Sequence, residues 1–135
     1  MKRDEIVALV RYRMDQADTA LVDAQYLIDG NKGVASIVNR SYYAMYYAAL
    51  GLLQTIGKTP SKHAGVLNLF NTEFILSNQL PRSLGRDIHE VFELRLKMDY
   101  RALIVLEPKQ ACATYEKAKA YVEAVKQYLI QHGWL

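Results

Sequence analysis

From Val7 to Leu129 the apolar residues return at alternating spacings of three and four. That spacing keeps a stripe on one face of an α-helix, so it commits the chain to helices. In the first segment the stripe is Val7, Val10, Met14, Ala17, Leu21, Ala24 and Ile28. Gly30 and Gly33, flanking Asn31-Lys32, are expected to stop it by taking the left-handed backbone of a helix end. A second stripe runs through Val38, Tyr42, Met45, Ala49, Leu52 and Ile56, closed by Gly57 and barred from continuing by Pro60. Ser61 is the expected cap of a third helix carrying Leu67, Phe70 and Phe74 and ending near Ser77-Asn78-Gln79. Pro81 is placed in the first turn of a fourth, with Leu84, Ile88, Val91, Arg95 and Met98. Pro108 opens the last, with Ala111, Tyr115, Ala118, Val122, Val125 and Leu129, ended by Gly133. Residues 101–107 fit either an extension of the fourth helix or an extended connection.

The connections between these segments are short, which predicts that consecutive helices pack as antiparallel neighbours in an all-α bundle. No strand pattern, repeat or linker interrupts the chain, so residues 1–135 read as one domain, long enough to bury a core without staples. Just over half of the residues are apolar or aromatic, which favours a packed globule over disorder. One cysteine, Cys112, cannot form an internal disulfide, and a reducing cytoplasm is the expected compartment. The N-terminal Met1-Lys2-Arg3-Asp4-Glu5 runs straight into an amphipathic pattern, so no signal peptide is expected, and no uninterrupted apolar run approaches the ~20 residues of a membrane span. A net charge of +3 permits contact with nucleic acid without arguing for it.

Two features do not fit a plain core. Arg95 occupies a seam position between Val91 and Met98, where a guanidinium costs several kcal/mol unless paired. Asp99, one turn later on the same face, is the expected partner. The pair serves either as a structural tie between helices or as part of a site facing a cleft. The second feature is Asn39-Arg40-Ser41-Tyr42-Tyr43-Ala44-Met45-Tyr46-Tyr47-Ala48. Tyr42 and Tyr46 share one helical face, and Tyr43 and Tyr47 the neighbouring one. Four hydroxyls that each need a partner when buried exceed what a simple core wants. Core and rim packing accounts for some of them; an interface, where tyrosine is enriched, accounts for the surplus. A base-stacking platform is the weaker reading, since Arg40 is the one basic residue close by in sequence. The histidines His63, His89 and His132 are scattered and read as solvated or structural. They form no metal cluster with the lone cysteine, and no phosphate loop or Ser/His/Asp arrangement appears.

At these residues the chain resembles the HEPN domains of prokaryotes. The resemblance rests on Arg40-Ser41-Tyr42-Tyr43-Ala44-Met45-Tyr46-Tyr47-Ala48-Ala49, then Lys62-His63-Ala64-Gly65-Val66, then Glu93-Leu94-Arg95 with Met98-Asp99-Tyr100, then the Ala-rich last helix. These features come in the family's order and cover nearly the whole chain. The resemblance implies a five-helix up-and-down bundle that dimerises through its middle helices. It also implies a partnership with a minimal nucleotidyltransferase as the two halves of a toxin–antitoxin system. Many members are metal-independent ribonucleases, without cofactor, whose motif is an arginine, four to six residues, and a histidine, meeting its copy across the dimer cleft.

Here Arg95 matches the motif's arginine, and Tyr100 stands at the histidine position after four intervening residues. Arg82 and His89 satisfy the bare spacing but lie upstream of the matching segment, and the match reads as chance. Cleaving RNA needs a base for the 2′-hydroxyl and an acid for the leaving oxygen. Histidine titrates near ~6.5 and suits both, whereas tyrosine, near ~10, makes a poor base. Arg95 can still hold a phosphate or its transition state. Asp99 is the other candidate base, although a paired carboxylate normally has a low pKa. The expected catalytic set is therefore Arg95, Asp99 and Tyr100, with Arg40, Tyr42, Tyr43, Tyr46 and Tyr47 facing a ligand or an interface. The reading is a homodimeric partner of a nucleotidyltransferase with weak or absent ribonuclease activity and no membrane contact. An active endoribonuclease toxin and a nucleotide-binding module are the alternatives.

Overall fold

The structure, a computed structural model, describes residues 1–100 and 105–135, with the side chain of Tyr100 outside that description. It is all-helical: α1 (Arg3–Asp29), α2 (Val34–Gln54), α3 (His63–Phe70), α4 (Arg82–Tyr100) and α5 (Pro108–Gln131). The five helices form a bundle in which each touches the next in sequence. Among the described residues α2 is the one helix that also touches all the others.

Composition explains that central position. Ala44, Ala48, Ala49 and Gly51 give α2 small faces that are fully buried. At Gly51 the approach of α1 is close: a Cβ there would meet Met14 Sδ at 3.4 Å and Arg13 Cβ at 3.5 Å. Val10, Met14, Ala17 and Ala20 of α1 complete that contact. On the far side Phe70 meets Tyr121 of α5, with ring centroids 5.5 Å apart. The last-helix stripe from Ala111 to Leu129 is buried at every predicted position. A smaller cluster of Ala24, Ile37, Val38, Ala111 and Tyr115 closes one end, and Leu94 and Met98 of α4 pack against it.

The helix ends differ from expectation in four places. Gly30 is right-handed at φ −83°, and the left-handed positions are Asn31 (φ 54°) and Gly33 (φ 68°). Ser61 does not cap α3. The capping position falls to Lys62, without a side-chain bond, because Ser61 lies one residue too far upstream. Pro81 sits just before α4, its carbonyl accepting from the Leu84 N–H at 3.1 Å. Ile56 lies beyond the end of α2 and is exposed, not buried.

The third helix also changes character before it ends. Asn71–Ile75 form a π-helical turn, with the Leu76 N–H donating to the Asn71 carbonyl at 2.8 Å. The wider turn lets Phe70, Phe74 and Ile75 all face the core. Beyond it Ser77 Oγ and Gln79 Nε2 donate to the freed Glu73 carbonyl. Residues 105–107 are a non-helical connection, extended at Glu107; 101–104, the rest of the ambiguous stretch, lie outside the described residues. Glu107 and Gln110 then make a reciprocal capping box around Pro108, which fixes where α5 starts. No helix among the described residues is long and apolar enough to cross a membrane.

Candidate functional site

The four tyrosines of α2 divide by helical phase. Tyr42 and Tyr46 point inward and are buried, while Tyr43 and Tyr47 are half-buried at the rim. Their rings form a continuous cluster: Tyr42 lies edge-on to Tyr43 at 5.4 Å and stacks with Tyr46 at 5.9 Å, and Tyr43 meets Tyr47 at 5.7 Å. Phe92 of α4 joins at 5.6 Å from Tyr42.

His63, the first residue of α3, is seated in this cluster. Its ring stacks on Tyr46 at 4.2 Å with the planes 11° apart, and its Nδ1 lies 2.7 Å from the Tyr42 hydroxyl. Of the two readings of His63, solvated or structural, this packing rules out the solvated one. The signal was present in Lys62-His63-Ala64-Gly65-Val66, but nothing local announced partners on α2 and α4.

Arg95 comes from α4 onto the same tyrosines. Its guanidinium carbon stands 5.1 Å from the Tyr42 ring centroid and 5.2 Å from that of Tyr43, within cation–π range. One terminal nitrogen donates to the Tyr43 hydroxyl at 3.5 Å, a long bond. Asp99 lies 3.5 Å from Arg95 Nε, close enough to pair as charges but not aligned as a hydrogen bond. The Nε is buried without a hydrogen-bond partner among the described residues. Asp99 is much the more exposed of the two, at 44% against 18%. Arg95 is thus a desolvated cation whose donors are poorly satisfied, the state an anionic ligand would relieve.

Electrostatics follow from this packing. Burial pushes the Tyr42 phenol far up, against a smaller opposing pull from Arg95, so its hydroxyl stays protonated. Burial and the neighbouring Tyr43 push Tyr46 up. Burial, helped by the charge of Arg95, pulls His63 below the ordinary imidazole value, so the ring is neutral at pH 7.

The remaining candidates lie around this centre. Arg40 stands 5.2 Å from the Tyr43 ring and donates to the Asn39 side chain at 3.0 Å. It lines one groove with Asp23 and Asp99, and another with Asp15 and Tyr47. Tyr100 ends α4, one residue past Asp99, and its side chain lies outside the described residues. His89 is exposed, 3.9 Å from Glu93, and shares a separate groove with Arg82 and Arg86. His132 stacks on Tyr128 at the end of α5. Among the described residues no three His, Cys, Asp or Glu side chains converge to hold a metal ion.

The fold and the site together define a class: a small helical bundle with an arginine held over tyrosines and beside a histidine. The chain belongs to the HEPN domain family, whose model matches residues 10–128. It is similar to a protein of Thermotoga maritima named "UPF0332 protein", 33% identical over 121 residues that make up 90% of this chain and 91% of that one. Two relatives come from Methanocaldococcus jannaschii. "Putative toxin MJ0142" is 38% identical over 98 residues, 73% of this chain and 67% of that protein. "Putative toxin MJ0605" is 34% identical over 127 residues, 94% of this chain and 90% of that protein.

Proposed function

We propose that this chain is a homodimeric, cytoplasmic HEPN toxin, a single domain over residues 1–135. Its antitoxin partner is a minimal nucleotidyltransferase, and its Arg95 site binds RNA while cutting it slowly or not at all. The observation that carries the reading is Arg95 itself, largely buried over Tyr42 and Tyr43 with its Nε lacking a hydrogen bond among the described residues, on the segment that corresponds to the family's nuclease motif. Such a cation suits a phosphodiester. The relatives named as toxins support the toxin half of the reading. The weak chemistry follows from Tyr100 at the motif's histidine position, since a phenol exchanges protons poorly near neutral pH.

The test is binding and cleavage of single-stranded RNA by the pure protein without added metal, beside co-expression with a minimal nucleotidyltransferase and a check for co-purification. Submicromolar binding with little cleavage, lost on Arg95→Ala, is the expected result. Vigorous cleavage lost on Arg95→Ala would instead make it an active endoribonuclease, and binding of mononucleotides but not RNA would make it a nucleotide-binding module.

A further inference from the structure

We propose that His63 is the second prong of the Arg95 site, donating from Nε2 to a phosphodiester oxygen of single-stranded RNA, and that Tyr42 positions it for binding at the expense of cleavage. The inference rests on the reading of Arg95 as an RNA-binding residue and adds a partner from another helix. Both side chains lie over the same pair of rings. Arg95 sits 5.1 and 5.2 Å from Tyr42 and Tyr43, and the His63 ring sits 5.6 and 5.8 Å from them. Two further basic side chains extend the surface, because Tyr46, on which His63 stacks, lines a groove with Tyr47, Arg13 and Lys58, the last already paired with Glu73 at 2.7 Å. Several cations along a track of aromatic rings suit a strand of linked phosphates better than one phosphate.

The tautomer of His63 follows from its hydrogen bond. The Tyr42 hydroxyl is buried and protonated, and His63 Nδ1 at 2.7 Å is its one acceptor among the described residues. The O–H therefore donates to Nδ1, which must carry the lone pair, and the ring proton resides on Nε2. Nε2 has no hydrogen-bond partner among the described residues. Neutral His63 in this form offers a donor to an anion. It offers no free lone pair to take a proton from a 2′-hydroxyl, because that lone pair is engaged by Tyr42. The site is consequently a cradle built from one charged and one neutral donor, with its histidine withheld from base chemistry.

The experiment uses the full chain, labelled with nitrogen-15. Long-range proton–nitrogen correlation at about pH 7.5 reads the two His63 ring nitrogens. We expect a protonated Nε2 and an unprotonated Nδ1, with the second tautomer appearing in Tyr42→Phe. An unprotonated Nε2 in the unmodified protein would overturn the proposal. Anisotropy with a short labelled single-stranded RNA supplies the second arm, with inorganic phosphate as the competitor that separates the strand from the bare anion. His63→Ala should weaken RNA binding roughly tenfold or more, as expected for a hydrogen bond to a charged group. His63→Gln, whose amide nitrogen can donate from a similar place, should stay within about threefold of the unmodified protein by the same reasoning. If His63→Ala does not fold, His63→Gln and the tautomer still decide: a loss with folded His63→Gln as large as with Arg95→Ala would refute a neutral donor. Undiminished binding in His63→Ala, with loss in Arg95→Ala, would sink this inference alone. Undiminished binding in both would remove the underlying reading of the site as well. Equal affinity for inorganic phosphate and for RNA would overturn the assignment of a strand as ligand.

Discussion

The rings of Tyr46 and His63 lie face to face, 4.2 Å apart, and bind the start of α3 to the middle of α2. The contact is a stack on a neutral imidazole. Protonation would put a second cation beside Arg95 and into a partly desolvated place, which is why the ring resists it.

That resistance gives stability a pH dependence. The groups facing His63 are Tyr42, Tyr43 and Tyr46 from α2, with Phe92 and Arg95 from α4. Burial keeps the Tyr42 and Tyr46 phenols protonated, so neither contributes in mildly acidic solution. Below about pH 6.5 the unfolded chain takes up a proton that folded His63 refuses. Stability is therefore full above that value and declines as the pH falls from it toward the lower folded value, where the decline from this residue ends. Thermal melts between about pH 8 and pH 5 should show the loss, and His63→Gln should flatten it. Glu90 is also pulled down, by its bond to Lys117, but acts in a separate window. Its contribution is present above the ordinary carboxylate range and lost as the pH falls through the lowered value. An equal acid loss in His63→Gln would assign the effect elsewhere.

Two buried tyrosines should respond oppositely to loss of their hydroxyls. Tyr121 is fully buried, and its hydroxyl has no hydrogen-bond partner among the described residues. Tyr121→Phe removes an unsatisfied polar group and is expected to be neutral or to stabilise by about 1 kcal/mol in urea unfolding. Tyr42→Phe removes a made bond and leaves Nδ1 of His63 unpaired, so it should destabilise by about 1 kcal/mol. A large loss in Tyr121→Phe would mean its hydroxyl is satisfied after all.

Catalysis should be recoverable at position 100. Tyr100→His supplies a group that exchanges protons near neutral pH on the segment that already carries Arg95. Metal-free RNA cleavage should rise measurably, and adding Arg95→Ala should abolish the gain, which excludes a contaminating nuclease. No gain in a folded protein would place the divergence beyond this one residue.

A homodimer built on α2 and α4 is expected, with Tyr43 and Tyr47 left half-buried on one protomer and available to a symmetric copy. Light scattering after size exclusion decides it. A clean monomer at about 50 μM, a concentration where most specific pairs associate, would remove the cleft between copies from the functional reading.

Much of the fold was legible because helical periodicity is a local signal. The stripe of α5 is buried along its whole length, and Pro108 with Glu107 marks its start. Arg95 and Asp99 were legible as neighbours for the same reason, being one turn apart. The helix ends were less so. Gly30 and Asn31 both tolerate a left-handed backbone, and the one that takes it is Asn31. The π-helical turn at Asn71–Ile75 goes with the burial of Phe74 and Ile75 against the other helices, which no local pattern in the turn announces. His63 was missed because everything that gives it meaning lies in other helices: a hydroxyl on Tyr42, a ring on Tyr46 and a charge on Arg95.

The position of α2 has a consequence for how binding would be felt. The helix that touches every other one also carries the rings on which Arg95 and His63 rest. Under the proposed reading, recognition and cohesion would draw on the same side chains. A ligand seated there would tighten the keystone of the bundle, and its binding energy would be spread over all four flanking helices as resistance to unfolding.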